Sequence, residues 1–443
     1  MTLADLTLEA QLRHDGAGRQ VFSGLEHGEI DIPAHLLITS NGIDIYDDIA
    51  GRGLLSIRGK GSKLILQAGN AIGLIPINDR VALEVNSRVP IANLERLLCL
   101  ASGYTPATID YLRDYGEVED AARPILDFLT DALVAAVDTL RIEGLHKEYR
   151  RVIRQGSPSG RILPYQSAKA GRRGQLTAVS SHFERTTDTA ANRQINAALQ
   201  LLHGTYAGSV SRKNNFKRLN QLTTALAYFR QIPSERRIIP DPIGAQLARL
   251  PDARPALSRC VALSSIIIRS AGLEIRNSTG PVIANGLLIQ MEDVFEQYVR
   301  EILRQGLSAT GSYSVLDGNL NPPSGASGSL FHHVLSKLGD SRSTPDTVIC
   351  YENTPAIVIE TKYKVCKGLP AREDMNQALM YGFSHKASKV VLTFPSYDDT
   401  QDIQAIGRVD NVTLYKSTID LNNINPKHVE DKFSDQIKDL MSD

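Results

Sequence analysis

The sequence places an aspartate, a glutamate and a lysine at the ends of two neighbouring predicted strands. Asp346 comes directly before one β-rich run, residues 347–351, and Glu360 and Lys362 close the next run. An Asn-Thr-Pro turn at 353–355 separates the runs and predicts a hairpin that aligns Asp346 with Glu360. Because side chains alternate along a strand, Glu360 and Lys362 share a face. Facing carboxylates bind Mg²⁺ or Mn²⁺, and a lysine beside the metal can orient or help deprotonate the attacking water, or stabilise charge on phosphorus.

The predicted elements around this hairpin make a chance arrangement less probable. A helix is predicted over 282–303, with Glu296 near the edge of its apolar face. A second helix follows the hairpin and carries Gln377 and Tyr381 four residues apart, on one face. A buried strand is then predicted over 389–394. The order helix, strand, strand, helix, strand resembles the PD-(D/E)xK phosphodiesterase fold. A plain α/β core with an exposed Glu-x-Lys is the alternative.

The rest of the chain predicts an α/β protein of several domains. Residues 1–90 contain short strands between turn residues, which indicates a small β-rich barrel or sandwich. Residues 91–280 have mainly helical periodicity, with a long helix expected from Pro124 towards the basic cluster that ends at Arg154. Asp188 is the expected N-cap of a further helix. Residues 281–443 form the domain that carries the candidate site.

Charge is balanced over the whole chain but unevenly distributed. The 443 residues include 49 Lys and Arg against 49 Asp and Glu. Residues 1–140 hold 11 basic and 20 acidic side chains, whereas residues 141–240 hold 18 and 5, a net charge of 18 − 5 = +13. This basic block either binds a polyanion or partner, or is a solvated surface.

Other classes of protein are disfavoured by the sequence. No apolar run approaches the ~20 residues of a membrane span, and the first residues do not resemble a secretory signal. The four cysteines have no metal-ligand spacing. The glycine-rich stretch at 51–62 does not have the spacing of a phosphate-binding loop. The sequence therefore predicts a cytoplasmic protein without a membrane segment and without a nucleotide-hydrolysing motif of its own.

Several segments, in order, resemble the McrC family, the nuclease subunit of the McrBC 5-methylcytosine-specific, modification-dependent restriction system. The segments are IGLIPINDRVALEVNSRVPIANLERLL (72–98), SGRILP (159–164), HFERTTDTAANRQINAAL (182–199), MEDVFEQYVREIL (291–303), TPDTVI (344–349), IVIETKYK (357–364) and DMNQALMYGF (374–383). The resemblance implies a PD-(D/E)xK endonuclease domain and catalytic roles for Asp346, Glu360 and Lys362. Members often have Asp-x-Lys at the second position, where this chain has Glu360.

The same resemblance implies further site residues and partners. Glu296 matches a helix acid that assists the metal, with a solvated glutamate as the alternative. Gln377 and Tyr381 match a supporting helix, where they either pack and hydrogen-bond against the hairpin or contact DNA. The implied partner is a hexameric AAA+ GTPase of McrB type, which the N-terminal part engages and stimulates, and the implied substrate is double-stranded DNA.

The predicted function is therefore Mg²⁺-dependent endonucleolytic cleavage of DNA in a restriction complex that defends against phage. Two alternatives remain open at this stage. The chain is either a non-catalytic adaptor that activates the AAA+ ring or an autonomous nuclease of the DNA repair type. The presence of all three predicted catalytic residues, Asp346, Glu360 and Lys362, disfavours the adaptor. The large region outside the nuclease domain disfavours the autonomous enzyme.

Overall fold

The chain forms two compact units. The computed structural model describes residues 13–14, 18–40, 42–46, 49, 55–60, 63–101, 125–175, 177–207, 212–233, 250, 254–270, 274–277, 280–283, 288–307, 311–322, 325–333, 341–398 and 401–442. The first unit comprises Met1–Leu129 with Ser270–Asp443, and the second comprises Thr130–Arg269. This division differs from the three predicted ranges, 1–90, 91–280 and 281–443, which stay a prediction.

The N-terminal region is rich in strands, as predicted. The elements are β1 (Arg13–His14), β2 (Gln20–Leu25), β3 (Glu29–Pro33), a 3₁₀ turn (Ala34–Leu36), β4 (Ile38–Thr39), β5 (Gly42–Ile43), β6 (Leu55–Lys60), β7 (Lys63–Ala68), β8 (Ala71–Pro76) and β9 (Val81–Asn86). Strand β3 alternates, so Ile30 and Ile32 are buried while Glu29 and Asp31 face solvent. One sheet has the order β3-β7-β6, and β4 pairs with β5. Side chains from several of these strands form one apolar cluster.

The second unit combines helices with a small antiparallel sheet. After α1 (Ile91–Ala101), the elements are α2 (Ile125–Glu143), β10 (Glu148–Gly156), β11 (Arg161–Ile162), α3 (Pro164–Gly171), β12 (Ala178–Thr186), α4 (Ala190–Ala207), α5 (Arg212–Tyr228) and α6 (Pro255–Ser270). The sheet has the order β10-β12-β11. The long helix predicted after Pro124, through residues 125–145 towards the basic cluster, is confirmed as α2. Gly144, with φ +82°, ends α2, and residues 148–156 pair along their whole length with β12.

Asp188 is not the cap of α4. The Thr189 hydroxyl accepts a hydrogen bond from the Asn192 backbone N–H at 3.3 Å, which is the N-cap contact. The Asp188 carboxylate instead pairs with Arg193 at 2.5 Å and with Arg150 at 3.4 Å. The two arginines hold the pKa of Asp188 below its usual range, with the hydrogen bonds from Arg193 as the largest cause.

The chain then returns to the first unit. Strands β13 (Glu274–Asn277) and β14 (Gly280–Ile283) form a hairpin, and β15 (Leu288–Gln290) leads into α7 (Met291–Leu307). The predicted helix 282–303 therefore begins nine residues late. Residues 282–283 end β14, and residues 288–290 form β15, which pairs antiparallel with β8 and completes a sheet with the order β1-β2-β9-β8-β15. The free edge of β8 is the physical reason, because a short apolar segment gains ladder hydrogen bonds there.

A six-stranded mixed sheet carries the candidate site. Its elements, with the flanking strands and helices, are β16 (Tyr313–Asp317), β17 (Gly328–Ser329), β18 (Arg342–Ser343), β19 (Thr347–Tyr351), β20 (Thr354–Thr361), α8 (Arg372–His385), β21 (Lys389–Ser396), β22 (Ile403–Val409), β23 (Val412–Asp420) and α9 (Pro426–Ser442). The order is β16-β19-β20-β21-β23-β22, with β20, β21 and β23 parallel. The predicted hairpin is present, and its turn is at Glu352 and Asn353, both with positive φ.

The central strands β19, β20 and β21 of the sheet are buried on both faces along most of their length. Val358, Val390 and Leu392 pack with Ala378 of α8 in one apolar cluster. The alternate side chains of these strands are equally buried, and α7 and α9 also contact the sheet. Within the part of the chain that the structure describes, no helix is long and apolar enough to cross a membrane.

Candidate active site

Asp346 and Glu360 lie side by side where two adjacent strands meet. Thr347 pairs with Ile359 in the β19–β20 ladder, so the residues next to this pair face each other. The Asp346 backbone N–H donates to Glu360 Oε2 at 3.4 Å. The Asp346 carboxylate in turn accepts two hydrogen bonds at Oδ2, from the Thr361 backbone N–H at 2.6 Å and from the Thr361 hydroxyl at 2.5 Å. The hairpin therefore holds both carboxylates in defined positions.

Lys362 joins these carboxylates to the following helix. Its ammonium group donates to Glu360 Oε1 at 3.0 Å and to Gln377 Oε1 at 3.1 Å. The Gln377 side-chain amide then donates to the Tyr381 hydroxyl at 3.2 Å, one turn further along α8. The structure thus brings five of the sequence-predicted residues into one hydrogen-bonded chain. Gln377 therefore hydrogen-bonds to Lys362 at the end of the hairpin, which is one of the two roles expected for it, and contact with DNA stays a prediction.

The electrostatics of the site are those of buried like charges. Burial raises the pKa of Glu360 to about 7, and the neighbouring Asp346 carboxylate adds to this. Burial also raises the pKa of Asp346, against the lowering effect of the hydrogen bonds from Thr361. Burial lowers the pKa of Lys362, but the charges of Glu360 and Asp346 outweigh it and the net shift is upward. A cation between the two carboxylates would relieve their repulsion.

Glu296 lies at the margin of this cluster and is held by other residues. Its carboxylate pairs with Arg300, one turn along α7, and accepts a hydrogen bond from the Asn319 side chain at 3.0 Å. Burial is the main reason that the pKa of Glu296 rises to about 7, and the negative charge of Asp346 raises it further. The negative charge of Asp346 therefore acts on the Glu296 carboxyl group, and Arg300 contacts both Glu296 and the backbone carbonyl of Asp346.

Two functional neighbours were missed by sequence reasoning. Arg300 contacts the backbone carbonyl of Asp346, and its other side pairs with Asp317 at the end of β16. The spacing of Glu296 and Arg300, four residues apart on a helix, was the available signal for an ion pair. No local pattern connects Asp317 to the site, because it arrives through the pairing of β16 with β19.

The segment after Lys362 is anchored by residues from elsewhere in the first unit. The Tyr363 hydroxyl donates to Glu26 Oε1 at 3.0 Å and accepts from the Tyr397 hydroxyl at 3.3 Å. The Tyr363 ring also packs on Phe295, with ring centroids 5.7 Å apart. Glu26 is completely buried, and burial raises its pKa. These contacts fix the backbone beside Lys362.

The donor set fits a hard divalent cation. Asp346 and Glu360 supply carboxylate oxygens, which Mg²⁺ and Mn²⁺ prefer, and Mg²⁺ is commonly held by one or two carboxylates together with waters. Burial raises the pKa of both carboxyl groups, and the charge of Asp346 adds to the rise at Glu360, so a bound cation would favour their charged forms. Among the residues that the structure describes, no three His, Cys, Asp or Glu side chains are grouped as metal ligands. Glu296 as a third ligand therefore stays a prediction of the sequence.

The basic block of the second unit presents a cationic and partly apolar surface. Strand β10 exposes arginines at 150, 151 and 154; Arg151 shares a face with exposed apolar side chains, and Arg150 and Arg154 lie on the opposite face. These exposed apolar residues are Tyr149, Ile153 and Phe183. The surface is chemically suited to a polyanion or to a protein partner, and both predictions remain open.

The comparisons with known proteins point to one family. Residues 66–395 match the family described as McrBC 5-methylcytosine restriction system component. No curated protein matches the sequence. One solved structure, a refined half-complex from a tetradecameric assembly of Thermococcus gammatolerans McrB AAA+ hexamers with bound McrC, matches with a TM-score of 0.55 and 15% identity, covering 95% of this chain and 100% of that chain. A second structure, of the Thermococcus gammatolerans McrBC complex, matches with a TM-score of 0.40 and 16% identity over 65% of this chain and 88% of that chain. At this identity the first likeness is one of fold.

Proposed function

The chain belongs to the family of McrBC 5-methylcytosine restriction system components, and from that premise we propose that it is the nuclease subunit of such a system. The proposed reaction is hydrolysis of DNA phosphodiester bonds that depends on Mg²⁺, with Mn²⁺ as a possible substitute. The proposed domain is of the PD-(D/E)xK type. It comprises the six-stranded sheet with α7, α8 and α9.

The observation that carries the proposal is the convergence of Asp346, Glu360 and Lys362 at one end of the β19–β20 hairpin. The Glu360 carboxylate lies 3.4 Å from the Asp346 backbone nitrogen and 3.0 Å from the Lys362 ammonium group. Two acids and a lysine within hydrogen-bonding reach match the needs of phosphodiester hydrolysis, which are a cation site and a positive group near the reacting phosphate.

The roles of the residues follow from their contacts. Asp346 and Glu360 would hold Mg²⁺, which supplies Lewis-acid polarisation of the phosphodiester. The Lys362 ammonium group, held by Glu360 and Gln377, orients the attacking water and offsets the negative charge that develops on phosphorus. Tyr381 supports this arrangement by accepting the hydrogen bond of Gln377.

The proposed partner is an AAA+ GTPase of McrB type that assembles as a hexameric ring, and the proposed substrate is double-stranded DNA. The solved structure with the same fold is of McrB AAA+ hexamers with bound McrC. This chain carries no phosphate-binding loop motif, so nucleotide hydrolysis would be the task of a separate protein. Its balanced net charge also agrees with DNA binding that is delegated to a partner.

The test is plasmid cleavage in Mg²⁺ by wild type and by Lys362→Ala, with and without the AAA+ partner and GTP. Methylated and unmethylated plasmids are both used. Lys367→Ala is the matched control, since Lys367 is an exposed lysine five residues further along the same segment. We expect cleavage by wild type and Lys367→Ala with the partner and nucleotide, and a loss of roughly 100-fold or more in Lys362→Ala.

Each alternative predicts a different result. Cleavage by wild type without the partner would favour an autonomous nuclease. Stimulation of GTP hydrolysis by both wild type and Lys362→Ala, with no cleavage of any plasmid, would favour the adaptor. Full activity of Lys362→Ala would refute the assignment of the catalytic lysine.

A further inference from the structure

Arg300 is a buried cation next to the proposed nuclease site. It lies on α7 with 5% of its surface exposed. Burying an arginine costs free energy unless the guanidinium is fully paired. A buried arginine therefore calls for a specific set of partners, and here those partners lead directly to the hairpin.

The guanidinium group of Arg300 binds two different elements of the site. Its Nε and Nη2 atoms both donate to the backbone carbonyl of Asp346, at 3.2 and 2.8 Å. Its Nη1 atom pairs with Asp317 Oδ2 at 2.7 Å, and Nη2 also contacts Glu296. A planar fork with five donors can make these contacts at once, whereas a lysine ammonium cannot span them.

We propose that Arg300 is a positioning residue of the site, which holds the Asp346 peptide so that the Asp346 carboxylate faces Glu360. This inference rests on the proposed nuclease function. The two hydrogen bonds to the Asp346 carbonyl fix the peptide that joins Asp346 to β19. Asp317, at the end of β16, binds the guanidinium through Nη1, so the position of the guanidinium does not depend on α7 alone, while Glu296 on α7 contacts Nη2.

A simple counter-ion would behave in the opposite way. If Arg300 only neutralised nearby acids, its removal would leave more negative charge at the site and a divalent cation would bind more tightly. If Arg300 positions Asp346, its removal lets the peptide shift and the cation binds more weakly. The direction of the change in metal affinity therefore separates the two roles.

The test measures Mn²⁺ binding to the full chain without DNA, by electron paramagnetic resonance of the free ion. The variants are Arg300→Met and Arg300→Lys. Arg304→Met is the matched control, because Arg304 lies one turn further along α7, has a half-exposed side chain, and reaches Glu301 at only 3.7 Å. Removal of a group that orients metal ligands costs about 10–100-fold in metal affinity or activity. We expect that loss for both Arg300 variants and no change for Arg304→Met.

DNA cleavage with the partner and GTP gives a second readout. We expect kcat to fall in both Arg300 variants while KM for DNA stays at the wild-type value, since Arg300 is buried and acts through the Asp346 peptide. Thermal unfolding monitored by circular dichroism checks the fold, and Arg300→Lys keeps a buried cation if Arg300→Met does not fold.

The possible failures can be told apart. Unchanged or tighter Mn²⁺ binding in the folded Arg300 variants would overturn the positioning role, and so would an equal loss in Arg304→Met. If wild type itself neither binds Mn²⁺ nor cleaves DNA, the proposed nuclease function fails and the inference falls with it.

Discussion

Replacing Glu360 by glutamine is expected to stabilise the metal-free protein while it abolishes the DNA cleavage proposed above. Glu360 is 3% exposed, and burial together with the adjacent Asp346 raises its pKa from 4.5 to about 7. A group with a raised pKa in the folded state contributes stability below its unfolded pKa, and this stability is lost as the pH rises through the folded pKa. If the pKa of Glu360 rises from 4.5 to about 7, its ionisation lowers the free energy of unfolding by about 3 kcal/mol at pH 8 and by less than about 1 kcal/mol at pH 5.

The assay is urea unfolding in the presence of EDTA, followed by circular dichroism at pH 5 and pH 8. We expect Glu360→Gln to exceed wild type by up to about 3 kcal/mol in the free energy of unfolding at pH 8, with a small difference at pH 5. Asp374→Asn is the matched control. Asp374 is also buried, but it pairs with Lys364 at 2.7 Å, so this variant is expected to lose stability.

Adding Mg²⁺ tests the same carboxylate as a ligand. Saturating Mg²⁺ is expected to stabilise wild type, because a ligand that binds only the folded state shifts unfolding by mass action. It should leave Glu360→Gln unchanged. The reasoning is refuted if Glu360→Gln is less stable than wild type at pH 8, or if Mg²⁺ stabilises both proteins equally.

Two further predictions concern packing that supports the fold. Arg96 pairs with Glu430 at 2.6 Å, and their side chains are only 3% and 4% exposed. Arg96→Met should therefore lower the free energy of unfolding in urea by about 3–5 kcal/mol, and the double variant with Glu430→Met should recover most of this loss. A single variant as stable as wild type would contradict this. Gly306→Ala should destabilise the protein, because a Cβ there would come within 2.4 Å of Ser434, whereas Gly204→Ala, with open space, should stabilise it by about 0.5–1 kcal/mol. Equal shifts in the thermal midpoint of the two glycine variants would show that the α7–α9 approach tolerates a methyl group.

The structure agrees with the sequence where the relevant contacts are local. The β19–β20 hairpin was predictable because alternating apolar residues flank a short turn, and α8 because Gln377 and Tyr381 share a helical spacing. The same local reasoning placed residues 288–290 in a helix, which was wrong, and it predicted no strand over residues 148–156. Residues 288–290 form a strand because the edge of β8 was available for pairing, and residues 148–156 form one because they pair with β12; helical periodicity does not report such a distant partner.

The sequence by itself determined which chemistry the site can carry. Glu360 follows Asp346 by fourteen residues across one hairpin, and Lys362 lies two residues further along the same strand direction. Residue type and strand period were therefore enough to predict that the three side chains meet. Only the tertiary structure decided how they are held. Arg300 reaches Asp346 across 46 residues, and Tyr363 reaches Glu26 across 337. Burial, which raises the pKa of the Glu360 carboxylate, is likewise a property of the packed sheet and its helices, because local periodicity records neither long-range contacts nor the loss of solvent.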